Sequence, residues 1–129
     1  MSDRAGPSGL ELGQAVYALA RLVPAGSVLA YKDVAELLGA GGPRQVGKAM
    51  SQAPAGLPWW RVLRSDGGMA DPLAERARQH WEQEGLPLRG TKVRIDQARW
   101  KPTEAQWRSI DALAARVAEG KSSDPDGEL

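Results

Sequence analysis

The chain has 129 residues, 42% of them hydrophobic and 26% charged, with a formal net charge of +1, no cysteine, no phenylalanine, one histidine and five tryptophans. That length fits one domain, and no apolar run approaches the roughly 20 residues of a membrane helix. Without cysteine there is no disulfide, thiolate zinc site or thiol nucleophile, and His80 alone supports no multi-histidine metal site. No metal, no cofactor and no membrane association are therefore expected. The polar Met1–Pro7 stretch carries no export signal, so a cytoplasmic location is expected.

The near-neutral total hides an uneven distribution. Between Ala30 and Arg64 stand Lys32, Arg44, Lys48, Arg61 and Arg64 against Asp33 and Glu36, whereas Lys121 near the C-terminus faces Glu119, Asp124, Asp126 and Glu128. A basic middle attracts phosphate and an acidic end favours solubility. On charge alone an ordinary solvated scatter fits equally well.

In chain order, residues 1–8 read as a flexible leader. Leu12, Ala15, Val16, Leu19, Ala20 and Leu22 recur at helical spacing, so a helix is predicted over 9–22 with Ser8 as its cap. Pro24-Ala25-Gly26 breaks the chain, and Val28–Ala30 is a short apolar link. Lys32–Leu38 predicts a second helix with Val34, Ala35, Leu37 and Leu38 inward. Gly39–Gly42 is a turn, and Pro43 suits the first position of a third helix, which buries Val46, Ala49 and Met50 and runs to about Ser51. This pair is a candidate helix-turn-helix. Arg44 and Lys48, four apart, share the face opposite the apolar one.

Residues 53–58 read as a loop and Trp59–Leu63 as a strand or extended segment. In that conformation adjacent Trp59 and Trp60 point to opposite sides, and a Trp face beside an Arg suits stacking on a planar base. Taken alone, the pair reads better as core anchors in a chain without phenylalanine. Ser65–Gly68 has a tight-turn signature. Asp71-Pro72 opens a helix that runs to Glu84 and ends at Gly85. Leu86–Ile95 suggests a hairpin or edge strand. Thr103 with Gln106 forms a capping box for a last helix whose core face is Trp107, Ile110, Leu113, Ala114 and Val117. Residues 121–129 read as a disordered acidic tail.

Three blocks in order give a resemblance over residues 9–102. Val23–Ala35 is similar to the pattern "IP.G.V.TY.D.A". Arg44–Met50 is similar to "R.VG.AM". Pro58-Trp59-Trp60-Arg61-Val62 stands where one group of proteins has "PCHRV" and another "PWHRV". Glu84-Gly85 matches an "EG" pair, and Val93–Pro102 resembles a bacterial ending. The sequence thus resembles the alkyltransferase-like proteins, relatives of the O6-alkylguanine DNA alkyltransferases. The resemblance implies a mainly α, small single domain with a winged-helix-like helix-turn-helix core over 9–102 and a C-terminal helix over 103–120 packed on it.

It also implies roles. Tyr31 would help rotate the nucleotide, and Arg44 would be the finger that replaces the flipped base, with the helix-turn-helix in the minor groove. Lys48 is a phosphate contact on the charge reading. Pro58, Trp59, Trp60, Arg61, Val62 and Glu84 would form the lesion pocket, with Trp59 at the alkyl-acceptor position. An indole has no nucleophile comparable to a thiolate, Trp60 stands where the family has its relay His, and Glu84 has lost both relay partners. The expectation is a monomeric, non-enzymatic reader of O6-alkylguanine in double-stranded DNA that hands the lesion to nucleotide excision repair proteins. The competing readings are a sequence-specific helix-turn-helix regulator and a glycosylase-type enzyme using Glu84. Two further departures are Ala53, in place of a bracing Asn, and a 65–72 segment without the Gly-Tyr of the alkyltransferase pocket loop.

Overall fold

Among the described residues, six α-helices and two small sheets follow one another along the chain, with breaks at Pro and Gly between several of them. The computed structural model describes residues 9–122; the readings at residues 1–8, including a Ser8 cap, and at residues 123–129 lie outside the described residues. Helix α1 (Leu12–Leu22) starts after Glu11, later than the sequence pattern suggests, and buries Ala15, Val16, Leu19 and Ala20. Strand β1 (Leu29–Ala30) leads directly into α2 (Tyr31–Leu38), whose Asp33 carboxylate accepts from the Ala30 amide at 2.9 Å. This satisfies one of the N–H groups that a helix start leaves unpaired. Gly39 ends α2 at φ +69°, in the left-handed region that favours glycine. Pro43 then opens α3 (Pro43–Ser51), and Gln45 Oε1 accepts from the Gly42 amide at 2.8 Å. Val46 and Met50 form the buried face of α3, while Ala49 is only half-buried and its carbonyl accepts from the Tyr17 hydroxyl at 2.7 Å.

The segment expected to be extended from Trp59 is instead a 3₁₀ turn over Trp59–Arg61, followed by β2 (Val62–Leu63). Pro58 cannot donate to a ladder, and the chain folds locally, with the Trp59 amide bonded to Leu57 O at 2.8 Å and the Arg61 amide to Pro58 O at 3.1 Å. Strands β1 and β2 pair in parallel, Leu29 with Val62 and Ala30 with Leu63. On the other side of β1, Val28 bridges to Arg99.

Helix α4 (Leu73–Gln83) ends at Glu84, next to Gly85. The expected hairpin is present as β3 (Leu88–Arg89) and β4 (Lys92–Val93), antiparallel. The alternating run does not continue as a strand, since Ile95–Ala98 forms the short helix α5. Helix α6 (Glu104–Ser122) carries the Thr103/Gln106 capping box in both directions, at 2.8 and 3.2 Å, and runs on through residues 121–122, which the sequence reading placed in the disordered tail.

Two apolar clusters result. One gathers α1, α2, α3 and α6 around Leu19, Leu38, Val46 and Ile110. The other gathers β1, α4 and the hairpin around Leu63, Trp81, Val93 and Ile95. Trp59 packs against both. Trp107, expected in the core face of α6, is 42% exposed. The buried stripe starts one turn later, at Ile110, because helical period says which residues share a face but not where the partner surface begins.

Candidate nucleic-acid interface

Arg44 is the second residue of α3 and Lys48 follows one turn later; both are exposed and neither makes an ion pair among the described residues. The apolar back of α3 is spent on the core, so its cationic face is left to solvent. Arg44 lines a groove of about 340 Å³ with Tyr31, Lys32, Pro43, Gly47, Arg64 and Ser65. Lys48 shares the exposed face of α3 but does not line this groove.

The ring of Tyr31, the first residue of α2, lies against α3 at Gly47. A Cβ on Gly47 would stand 3.1 Å from Tyr31 Cε2, so the absence of a side chain at 47 is what lets the ring approach. Burial raises the Tyr31 phenol above its usual value, and the Arg64 charge only partly opposes this. The group is therefore a neutral phenol and a hydrogen-bond donor at neutral pH.

Beyond Tyr31 the groove opens into a cavity of about 420 Å³, within the roughly 300–1,000 Å³ of small-molecule sites. Tyr31, Gly47 and Arg64 belong to both. Met50, Ala53, Trp59, Met69 and Leu73 supply apolar wall, and Ser51, Ala70 and Arg76 complete it. The Arg76 guanidinium sits over the Trp59 ring at 5.5 Å, and the Trp60 ring meets Trp59 edge-on, with centroids 5.7 Å apart and planes at 86°. Because the turn is 3₁₀, successive side chains diverge by about 120° rather than 180°, and both indoles reach the interior from adjacent sides.

Of the six residues expected to form the lesion pocket, Trp59 lines this cavity; Pro58, Trp60, Arg61, Val62 and Glu84 do not. Val62 is fully buried in the core and Pro58 precedes the 3₁₀ turn. The other three build a support behind the turn. Glu84 accepts from Arg61 Nε at 3.0 Å and Nη2 at 2.7 Å, from Trp60 Nε1 at 2.8 Å and from the Gly26 amide at 3.0 Å. Arg61 Nη1 also donates to Val23 O at 3.0 Å. Glu84 is thus far from unpartnered: an indole N–H occupies the position of the relay His and still donates to it. Burial pushes the Glu84 carboxyl up, but the hydrogen bonds from Arg61, Gly26 and Trp60 outweigh burial and hold it below the usual carboxylate range. His80 stacks on Trp60 at 3.6 Å with planes 9° apart, and Trp81 Nε1 donates to Trp60 O at 2.8 Å. Both Glu84 oxygens are thus taken up by Arg61, Trp60 and the Gly26 amide, behind the turn rather than in the cavity.

Sequence reasoning counted Arg64 in the basic middle but assigned it no place, and it missed Arg76, Met69, Leu73 and His80. These converge from α4 and the loop before it, and no local signal carries that convergence.

A helix-turn-helix whose cationic face borders an apolar cavity is the arrangement of a nucleic-acid-binding domain. Residues 11–86 match the family described as 6-O-methylguanine DNA methyltransferase, DNA binding domain. The fold is similar to that of S. pombe Atl1 in two crystal structures. One is in complex with damaged DNA containing O6-carboxymethylguanine, with a TM-score of 0.61; the other, described as S. pombe ATL in complex with DNA, has a TM-score of 0.60. In each, identity is 27% over 70% of this chain and 94% of the other. No curated protein matches the chain. The chain belongs to the 6-O-methylguanine DNA methyltransferase DNA-binding family, as an alkyltransferase-like relative with no cysteine.

Proposed function

We propose that this protein is a non-enzymatic reader of O6-alkylguanine in duplex DNA. The observation that carries the reading is the continuity of two features: a groove headed by Arg44, which makes no ion pair among the described residues, and Tyr31 runs into a cavity walled by Trp59. The flipped nucleotide would enter the cavity past Tyr31, and Arg44 would take its place in the stack. Flipping costs a few kcal/mol, less for a weakly paired lesion. Base–aromatic stacking worth about 1–3 kcal/mol offsets much of that. The likeness to a protein crystallised with damaged DNA containing O6-carboxymethylguanine supports the same reading.

Catalysis lacks its parts. No thiol exists in the chain, and among the described residues no histidine or carboxylate lines the cavity. The Ser51 hydroxyl on its wall donates to Lys48 O at 2.6 Å rather than facing a base. Glu84, the residue a glycosylase reading needs, is outside the cavity and fully engaged. Binding without chemistry leaves the lesion in place, so the reading includes hand-over to nucleotide excision repair by a cytoplasmic, nucleoid-associated monomer.

The test is a titration of matched O6-methylguanine and guanine duplexes, followed by analysis of the recovered DNA. Tighter binding to the lesion with the alkyl group still on the base is expected. Equal affinities, or loss of the alkyl group, would overturn the proposal. In Trp59→Ala the lesion preference should fall about ten-fold or more, following the stacking energy, with a smaller change for the control duplex. An equal loss on both would make Trp59 a packing residue.

A further inference from the structure

The hairpin β3–β4 has no part in the site described above, and the family match ends at residue 86, before it. Between the hairpin, the 65–68 turn and α5 lies a second depression of about 470 Å³. Four of its lining residues are cations, Arg89, Lys92, Arg94 and Arg99, against two acids, Asp66 and Asp96. Lys92 is held by Asp66 at 3.1 Å, and Arg99 by Asp33 at 3.0 Å. Arg89, exposed, and Arg94, half-buried, make no ion pair among the described residues.

This depression adjoins the groove of Arg44. Ser65 lines both. The hairpin is also hydrogen-bonded to the 65–68 turn that follows β2. The Val93 amide donates to Gly67 O at 2.9 Å, and the Arg94 amide to Pro87 O at 2.8 Å. Gly67, at φ +85°, sits so close that a Cβ there would lie 2.0 Å from Val93 O. Cations on a hairpin beside a groove that already holds Lys32, Arg44 and Arg64 match a second stretch of polyanion rather than an isolated ion.

We propose that Arg89 and Arg94 bind backbone phosphates of the duplex on the Ser65 side of the flipped nucleotide, so that the hairpin extends the DNA footprint beyond the lesion. This rests on the DNA-binding reading above. Phosphate contacts position a protein without reading sequence, and each one neutralised releases counterions, giving a slope of about −0.9 per contact in log K against log salt.

The experiment measures affinity against salt concentration for lesion and control duplexes, with wild type and Arg89→Gln/Arg94→Gln. The double variant should bind both duplexes more weakly, lose about 2 from the salt slope and keep the wild-type ratio of lesion to control affinity. Duplexes cut back on one side of the lesion or the other add a second readout. Wild type should lose affinity when one particular side is shortened, and the double variant should not feel that truncation. Arg89→Gln alone, at an exposed site, should remove about 1 from the slope, and Arg89→Lys should restore it. An unchanged slope and the same truncation penalty in the double variant would overturn the hairpin contact. A wild-type protein that binds both duplexes equally would overturn the lesion reading, while the slope on the control duplex would still decide the hairpin contact.

Discussion

At the scale of single residues, Glu84 and Trp59 divide work that sequence patterning grouped together. Glu84 spends both oxygens on Arg61, Trp60 and the Gly26 amide, tying the link after α1 to the 3₁₀ turn and to the end of α4. Its side chain is 11% exposed and that of Arg61 17%, so the pair is neither a surface ion pair nor a fully dry one. Its folded pKa lies below the unfolded value. The stabilisation is therefore complete above the unfolded carboxylate value of about 4.3 and is lost as pH falls through the folded one. Glu84→Gln should cost about 1–3 kcal/mol at pH 7, since it leaves Arg61 poorly matched. The difference from wild type should shrink as pH is lowered below 4. Thermal melts of both proteins across that range check it, and a gap independent of pH would assign the effect to packing alone.

At the scale of elements, the 65–68 turn is where local and long-range demands meet. The Gly67 amide closes the turn on Arg64 O at 2.8 Å, and Asp66 Oδ1 accepts from the Gly68 amide at 2.9 Å. These are turn features that the Ser-Asp-Gly-Gly string announces. The pressure of β4 on Gly67 is not announced. Gly67→Ala combines a positive φ with a Cβ inside the Val93 carbonyl, and should destabilise by about 2–4 kcal/mol. That corresponds to a drop in Tm on the order of 10 °C, read by calorimetry; an unchanged Tm would show that the hairpin yields. The 3₁₀ turn at Trp59 makes a related point. Two adjacent tryptophans suggest opposite faces only if the segment is extended, and Pro58 and two local hydrogen bonds prevent that.

At the scale of the whole molecule, α6 closes the cluster formed by α1, α2 and α3 through Ile110 and Val117, both buried. Ile110→Ala should cost about 2–5 kcal/mol through the lost burial and the cavity left behind. Trp107→Ala should cost less than about 1 kcal/mol despite removing a larger side chain, because Trp107 is 42% exposed. Denaturant melts of the two variants compare them directly, and similar losses would show that Trp107 is anchored on the core after all. The cation-lined groove and the hairpin belong to this scale too, since Arg44 comes from α3, Arg64 from the stretch after β2 and Arg89 from β3, and the two depressions they line adjoin only in the folded chain.

The sequence by itself determined what depends on neighbours along the chain. The order of the five longer helices, Pro43 at a helix start, Gly39 and Gly85 at helix ends, the Thr103 capping box, the hairpin, the cationic face of α3 and the lack of any thiol were all legible, because period, capping and turn chemistry act over a few residues; the short helix α5 was not. Only the tertiary structure decided the rest. The parallel pairing of Leu29 with Val62 spans most of the N-terminal half. The bracing of Glu84 joins residues from 23 to 84. Trp59 became a cavity wall and Trp60 a support, although the two are neighbours and identical in type. The side chain's surroundings, not its identity, set whether an indole packs, donates a hydrogen bond or faces a ligand, and those surroundings are assembled from distant segments.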